Sequence, residues 1–159
     1  MIPDPGVSDG TGSAAPKEAV EGTWARLTDG LWKFADASGL RYSKRWAYIY
    51  NPYAGEGQST ADWFRFDAAG HMLTGWYLDT DGNTYYLWPN QDGTQGHMVT
   101  GWQWIAGADG FERCYYFNPV SDGTRGRLYK GTVTPDGYTV NAGGQWTVNG
   151  VVQTRVPQQ

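Results

Sequence analysis

Short runs of apolar and aromatic residues alternate with polar, glycine-containing segments along most of this chain. The runs "GWYL" (75–78) and "TYYLW" (84–88) flank the polar stretch "DTDGN" (79–83), and "GWQWI" (101–105) and "RCYYF" (113–117) flank another Asp-Gly pair. Asp-Gly between two such runs is typical of a β-hairpin with a type I′ turn, which needs positive φ at its central residues. No segment keeps the apolar spacing of about 3.6 residues that indicates a helix. The pattern therefore predicts an all-β chain of hairpins.

The hairpin pattern recurs in tandem. The stretch "HMLTGW", which begins at His71, returns almost unchanged as "HMVTGW" at His97, and "DGT" at 92–94 returns at 122–124. Such recurrence indicates a solenoid, because a hairpin that is marginal alone becomes stable when it stacks on a neighbour. We therefore expect a tandem β-hairpin solenoid with repeats at 22–45, 46–75, 76–101, 102–131 and 132–154.

The two ends of the chain differ in composition from the repeats. Residues 1–21 are rich in Pro, Gly, Ser and Ala and are typical of a flexible linker, and residues 155–159 form a short C-terminal tail. The repeat domain is expected between them, over 22–154. Its last repeat, 132–154, lacks Gly-Trp and ends in polar residues, as expected for the cap that covers the end of a solenoid.

Composition narrows the range of partners. The 159 residues include 9 Trp, 11 Tyr and 23 Gly. We therefore expect a core of large aromatic side chains in place of the usual aliphatic ones. The formal net charge of -4 argues against nucleic acid as a partner. No apolar run approaches the roughly 18 residues of a membrane span, so we expect no membrane insertion.

Catalytic and metal-binding patterns are missing from the sequence. The only histidines, His71 and His97, occupy the same position of two repeats, and no nucleophile motif accompanies them. The stretch "DTDGN" (79–83) is similar to the start of a calcium loop, but the Glu that such a loop requires downstream is absent. We therefore expect a chain that is not an enzyme and that uses no cofactor and no metal.

The order Gly-Trp, polar turn, Trp-Tyr-Tyr or a variant, and Gly-x-Met-x-Thr-Gly resembles the choline-binding or cell-wall-binding repeat of Gram-positive surface proteins and their phages. "WFRFDAAGHMLTGW" (63–76) matches this repeat closely, and the resemblance extends from Trp24 to about residue 154. It implies a secreted, non-catalytic module on the bacterial cell surface that binds choline of teichoic acids. Some relatives, in glucan-binding proteins and clostridial toxins, bind carbohydrate instead. The terminal repeats of such modules also imply a homodimer.

An aromatic-rich repeat suits either type of ligand. A quaternary ammonium group donates no hydrogen bond, so proteins hold it against aromatic faces, and each contact contributes about 0.5 to 2 kcal/mol. Sugars stack on the same faces. A tandem array raises the avidity of weak sites for a polymer.

The resemblance places the ligand between neighbouring repeats, against the first aromatic residue of one second strand, the next Gly-Trp tryptophan and a further tyrosine. Carried over to this sequence, it predicts a site formed by Trp63, Trp76 and Tyr86, with Met98 as an additional wall.

A second site is predicted from Trp32 and Trp46, where Arg65 takes the third position and repels a cation. The equivalent positions of the next two repeats, Thr84 and Cys114, lack the family's Trp, which indicates degraded sites. Three hypotheses therefore stay open: choline binding, binding of a glucan or wall glycan on the same rings, and a structural stalk with degenerate sites.

Overall fold

The computed structural model describes residues 19–157, and these residues form strands and turns without a helix. The all-β fold predicted from the sequence is confirmed. None of the described residues belongs to a helix that is long and apolar enough to cross a membrane. The strands are β1 (Gly22–Arg26), β2 (Trp32–Asp36), β3 (Arg45–Tyr50), β4 (Ala61–Phe66), β5 (Gly75–Leu78), β6 (Thr84–Leu87), β7 (Gly101–Ala106), β8 (Glu112–Phe117), β9 (Thr132–Val133), β10 (Thr139–Val140), β11 (Trp146–Val148), β12 (Val151–Val152) and β13 (Thr154–Arg155).

The strands pair as antiparallel hairpins in small sheets. Strands β1 and β2, β3 and β4, and β5 and β6 form three two-stranded sheets, β7, β8 and β13 form a three-stranded sheet, and β9 to β12 form a four-stranded sheet. The chain divides into a first compact unit, described here from residue 19 to 98 and at 121–124, and a second, at 99–120 and 125–157.

The predicted ends of the repeat domain fall inside paired segments. The predicted linker lies outside the described residues as far as residue 18, but Val20 forms a parallel bridge with Ile49. At the other end, Arg155 is paired with Glu112 in the sheet, and its guanidinium Nε donates to the Glu112 carboxylate at 2.7 Å. Paired structure thus begins before residue 22 and continues past residue 154.

The Asp-Gly hairpin turn differs from the predicted type. The amide of Gly82 donates to the carbonyl oxygen of Asp79 (3.0 Å), and the amide of Asp79 donates to that of Asn83 (2.9 Å). Gly82 has a φ of 86°, whereas Asp81 is not among the residues with a positive φ. The type I′ prediction is therefore wrong. Of these turn residues, only Gly82 has a left-handed backbone. This is the arrangement of three-residue hairpin loops, whose geometry also fits the twist of the strands.

The same five-residue turn recurs through both compact units. In each copy the first amide bonds to the fifth carbonyl, and the amide of a fourth-position glycine bonds to the first carbonyl. An aspartate near the start caps the free amides in several copies; Asp67, for example, accepts from Ala69 and His71. The further copies are 27–31, 36–40, 67–71, 107–111, 134–138 and 141–145.

The first compact unit has two hydrophobic clusters. Alternation along β4, β6 and, in the second unit, β8 predicts a set of core residues, and all of them are buried except Tyr115, which is half-buried: Phe64, Phe66, Tyr85, Leu87, Tyr115 and Phe117. The cluster that we call the lower cluster contains Phe34, Tyr42, Ala47, Ile49, Phe64, Phe66 and Met72. The other, which we call the upper cluster, contains Trp46, Trp63, Tyr85, Leu87 and Met98.

Backbone hydrogen bonds join successive hairpins of the first unit. The amide of Met72 donates to the carbonyl oxygen of Trp32 at 2.9 Å, and the amide of Met98 donates to that of Trp63 at 2.8 Å. Each methionine follows its own hairpin, and each bond reaches back to the preceding one. The Gly-x-Met motif of the repeat therefore supplies the contact that stacks the hairpins.

Candidate functional site: two aromatic pockets

An open pocket of about 270 Å³ lies in the first compact unit, and we call it the N-terminal pocket. Its apolar wall contains Trp24, Trp32, Phe64 and Met72, and Tyr53 stands at its exposed side. The ring centroids of Trp24 and Trp32 are 6.4 Å apart with planes at 84°, and those of Trp32 and Tyr53 are 5.3 Å apart at 54°. Three rings thus enclose one cavity from different directions.

A loop-to-loop contact holds Tyr53 at this pocket. The amide of Tyr53 donates to the side-chain oxygen of Asn51 at 3.0 Å, and the Asn51 amide nitrogen donates to the carbonyl oxygen of Gly93 at 2.5 Å. Gly93 has a φ of 95°, and a Cβ placed on it would lie 2.5 Å from the Tyr53 carbonyl oxygen. The close approach of the two loops therefore requires glycine at position 93.

Polar side chains complete the lining of the N-terminal pocket. Asn51, Gln91 and Gln95 contribute neutral amides, and Arg26 contributes a guanidinium group. The register of the first hairpin places Arg26 directly opposite Trp32. The pocket can therefore combine stacking on aromatic faces with hydrogen bonds at its edge.

A second aromatic pocket, of about 380 Å³, lies wholly in the second compact unit, and we call it the C-terminal pocket. Its rings are those of Trp102, Trp104, Tyr138 and Trp146. The centroid of Trp102 is 5.8 Å from that of Tyr138, and the centroid of Trp104 is 6.2 Å from that of Trp146. The predicted cap, 132–154, thus contributes two of the four rings.

A carboxylate borders the C-terminal pocket. The indole nitrogen of Trp102 donates to Asp136 at 2.8 Å, and the hydroxyl of Thr134 donates to the other carboxylate oxygen. These hydrogen bonds, first that from Thr134 and then that from Trp102, hold the pKa of Asp136 below its usual value. Asp136 is therefore ionised at neutral pH, beside four aromatic rings that favour a cation.

The single cysteine, Cys114, also lines the C-terminal pocket and is 5% exposed. Burial raises the pKa of its thiol to about 11, and the thiolate is the reactive form. We expect iodoacetamide to modify the folded chain slowly at pH 8, faster as the pH rises toward 11, and rapidly after unfolding in urea, as followed by mass spectrometry. Equal rates for folded and unfolded chains at pH 8 would contradict this burial.

The structure separates the residues of the first predicted site into two pairs. Trp63 and Met98 are 2% and 3% exposed and pack together in the upper cluster. Trp76 is 45% exposed and packs on its cross-strand partner Tyr86, with ring centroids 5.0 Å apart. Tyr86 faces the opposite side of β6 from Tyr85, which packs in the upper cluster. Binding of a ligand by these four residues stays a prediction.

The residues of the second predicted site also lie in different surroundings. Trp32 lines the N-terminal pocket, whereas Trp46 is 1% exposed in the upper cluster. Arg65 pairs with Trp46 across the β3–β4 hairpin, and its guanidinium lies 5.3 Å from the centroid of the Tyr77 ring. The carboxylate of Asp79 accepts from the Trp46 indole nitrogen at 3.0 Å. Protein groups thus fill the space beside Trp46.

Of the residues that line the N-terminal pocket, only Trp32 was predicted as a site residue, and Trp24, Met72 and Tyr53 are the most important ones that sequence reasoning missed. Trp24 served only to mark the repeat, and Met72 was recognised only as part of the Gly-x-Met motif. Both residues could have been found from the repeat, because the Gly-x-Met motif stacks their two hairpins on each other. Tyr53 lies in the irregular loop "NPYAGEGQ" (51–58), where no periodic pattern could indicate its direction.

The fold and the pockets define a β-hairpin repeat protein with open aromatic sites. Among the described residues, no group of three or more His, Cys, Asp or Glu side chains is placed to hold a metal ion. No protein-family model matches the chain, and no curated protein matches it significantly.

Solved structures similar to this chain include choline-binding proteins. Choline binding protein F from Streptococcus pneumoniae, solved in the presence of a peptidoglycan analogue, is 25% identical over 84% of this chain and 49% of its own, with a TM-score of 0.35. The cell wall endolysin from phage Cp-1, complexed with choline, is 23% identical over 86% and 40%, with a TM-score of 0.48. A choline binding domain from Streptococcus pneumoniae is 26% identical over 79% and 93%, with a TM-score of 0.34. The chain thus spans less than half the length of choline binding protein F and of the endolysin.

Proposed function

We propose that this chain is a non-catalytic cell-wall-binding module that holds a secreted bacterial protein on the envelope by binding choline of teichoic acids. The observation that carries the proposal is the N-terminal pocket, in which Trp24, Trp32 and Tyr53 surround one open cavity with Met72. Aromatic faces attract a quaternary ammonium group, and the soft thioether of methionine packs well against its methyl groups.

The C-terminal pocket supports the same reading. Its rings stand beside the ionised carboxylate of Asp136, which adds a direct attraction for a cation. Two weak sites on one chain bind a polymer that repeats its choline groups far more strongly than either site binds free choline. A module of this kind works through avidity and needs no catalytic group.

Carbohydrate binding is the second candidate function. The amides of Asn51, Gln91 and Gln95 border the aromatic wall of the N-terminal pocket, and such groups bind sugar hydroxyls while the rings stack on the sugar face. This candidate predicts binding of a glucan or wall glycan fragment and no response to free choline.

Calorimetric titration of choline into single variants tests the proposal. Tyr53 and Tyr138 are 53% and 50% exposed, so each can be replaced by alanine without opening the core. We expect Tyr53→Ala to weaken binding at the N-terminal pocket, and Tyr138→Ala at the C-terminal pocket, by about two- to thirtyfold, the value of one aromatic contact. The double variant should give little heat.

Trp76→Ala is the matched comparison, because Trp76 is exposed but lies outside the lining of both pockets. If choline binds in the two pockets, we expect Trp76→Ala to bind choline like the wild type. If Trp76→Ala loses heat and the tyrosine variants do not, the ligand binds at the Trp76 and Tyr86 pair instead. Heat on titration with glycan fragments but not with choline would favour carbohydrate binding. No heat with either ligand would favour the hypothesis of a structural stalk with degenerate sites.

A further inference from the structure

A further cavity of the first compact unit, of about 560 Å³, lies at the first hairpin, and we call it the end groove. Alternation along β1 and β2 places Ala25 and Lys33 on one face of this hairpin and Trp24 and Trp32 on the other. The lining of the end groove includes the first pair, and the lining of the N-terminal pocket includes the second. The two cavities thus use opposite faces of one hairpin.

Comparison of the repeats shows that Lys33 replaces a core residue. Lys33 faces Ala25 across its hairpin, as Phe64 faces Ala47 across the next one. Phe64 is buried in the lower cluster, and Tyr85, the equivalent residue of the third hairpin, is buried in the upper cluster. Lys33 is instead half-buried in the lining of the end groove.

Arg41 replaces a second core residue. It forms a single bridge with β2, as Met72 does with β4 and Met98 does with β6. Both methionines are buried, at 6% and 3% exposure, and each stacks its hairpin on the preceding one, whereas Arg41 is exposed. The side chain at this position therefore changes from apolar to cationic at the first hairpin.

These two replacements make the outer face of the first hairpin unsuitable for a further stacked hairpin. Such a hairpin would remove Lys33 and Arg41 from water, and proteins bury a charge only beside a counter-charge. The residues that line the end groove include no Asp or Glu. The face therefore suits an anionic partner better than another repeat.

The lining of the end groove leaves room for a polymer. It includes residues 68–70, "AAG", of a recurring turn, together with Ala25 and Ala35. These small residues let a partner approach the backbone closely. Thr23 and Ser43 add hydroxyl groups, which donate hydrogen bonds to anionic oxygens.

Two carboxylates lie next to lining residues in the sequence, and both bind groups of the first compact unit. Asp36 accepts from the Ser38 hydroxyl at 2.6 Å and from the Tyr42 hydroxyl at 3.3 Å. Asp67 accepts from two amides of its own turn. Neither carboxylate belongs to the lining that contains the two cations.

We propose that the end groove binds phosphate groups of an anionic polymer, with Arg41 and Lys33 as the residues that hold them. A guanidinium group presents paired N–H donors that match phosphate oxygens, and an ammonium group adds a compact positive charge. The inference goes beyond the proposed function, because this site needs neither choline nor the aromatic rings. A polymer with phosphates in its chain and choline on its branches would contact both faces of the first hairpin.

The test titrates a synthetic, choline-free poly(glycerol phosphate) into the full chain by calorimetry, with poly-L-glutamate as a carboxylate probe. The variants are Lys33→Gln and Arg41→Gln. Arg26→Gln is the matched control, because Arg26 pairs with Trp32 on the opposite face of the same hairpin and its loss changes the net charge equally. Thermal unfolding of each variant checks that it is folded.

We expect the unchanged chain to bind poly(glycerol phosphate), and Lys33→Gln and Arg41→Gln each to weaken this binding by about two- to fivefold, the range of an exposed charge pair. Arg26→Gln should bind the polymer like the unchanged chain. Raising the salt concentration should weaken the binding, because salt screens exposed charges. Poly-L-glutamate should bind more weakly than the phosphate polymer.

An equal loss in Arg26→Gln would show that binding follows net charge, and this result would overturn the proposal. Poly-L-glutamate that binds as tightly as poly(glycerol phosphate) would overturn the selection of phosphate. If the unchanged chain does not bind the polymer, the end groove is not such a site, whereas choline heat in the same chain would still support the proposed function.

A chain with both Tyr53→Ala and Tyr138→Ala separates the end groove from the aromatic pockets. We expect this chain to lose most of its choline heat and to keep its affinity for poly(glycerol phosphate), because neither tyrosine lines the end groove. Loss of both would assign the polymer to the aromatic pockets and would overturn the proposal.

Discussion

Replacing Asp79 with alanine is expected to lower the free energy of unfolding by about 2 to 4 kcal/mol. Asp79 is 6% exposed, and its carboxylate accepts hydrogen bonds from the Trp46 indole nitrogen and the Tyr77 hydroxyl, each at 3.0 Å. The variant leaves both donors without an acceptor, and an unsatisfied buried donor costs about 1 to 3 kcal/mol. Urea unfolding followed by tryptophan fluorescence measures the loss.

Asp67→Ala is the matched control for this change. Asp67 occupies the same first position of the recurring turn, but its carboxylate is partly exposed; it accepts from the backbone amides of Ala69 and His71 and lies 3.7 Å from the His71 imidazole nitrogen. Its loss should cost about 1 kcal/mol. Asp79→Asn, which keeps one acceptor oxygen, should fall between the two alanine variants. Equal losses for Asp79→Ala and Asp67→Ala would mean that the buried Trp46 indole and the partly buried Tyr77 hydroxyl find other acceptors.

Replacing Gly96 with alanine is expected to lower the free energy of unfolding by about 2 to 4 kcal/mol and to weaken ligand binding at the N-terminal pocket. Gly96 has a φ of 88°, which costs an L-residue about 1 to 2 kcal/mol. A Cβ there would also lie 2.3 Å from the sulfur of Met72, which is 6% exposed and lines the pocket. Forcing a buried side chain aside adds about 1 to 3 kcal/mol.

Gly82→Ala separates the two causes. Gly82 has a φ of 86°, but nothing lies within 4 Å of a Cβ placed on it, so this variant has the backbone strain without the clash. We expect a loss of about 1 to 2 kcal/mol and unchanged choline binding. Thermal unfolding of the two variants measures their stability, and calorimetric titration measures their choline binding. A Gly96→Ala variant as stable as Gly82→Ala would show that Met72 moves aside freely.

The hairpins and the inward faces of their strands could be predicted from the sequence because they depend on local patterns. Strict alternation along β6 identifies Tyr85 and Leu87 as core residues, and both are fully buried. Alternation fails at Trp63, which was assigned to the ligand side. Its ring is buried because a second cluster, built around Trp46 and Met98, covers that face as well. Period-two patterning cannot reveal that both faces of a strand are covered.

The candidate site was predicted less completely than the fold because its residues come from different hairpins and a loop. Trp32 was found, since it occupies the aromatic position of a second strand. Tyr53 was not, because a hydrogen bond from Asn51 to the Gly93 carbonyl sets the position of its loop. In the second unit, Cys114 suggested a degraded site, yet Trp104 lies directly opposite it and supplies a ring. An alignment of the repeats cannot show that an aromatic ring missing from one strand is replaced by a ring on the paired strand.

The hydrogen bonds that stack the hairpins of the first unit also set an order of events during synthesis. The carbonyls of Trp32 and Trp63 precede in the chain the Met72 and Met98 amides that bind them. Each carbonyl acceptor therefore leaves the ribosome before the amide that donates to it. Each new hairpin can bind the hairpin that was synthesised just before it. Contacts between neighbours in sequence close small loops and form quickly. A repeat of this design can thus fold from its N-terminus, one hairpin at a time, as the chain emerges.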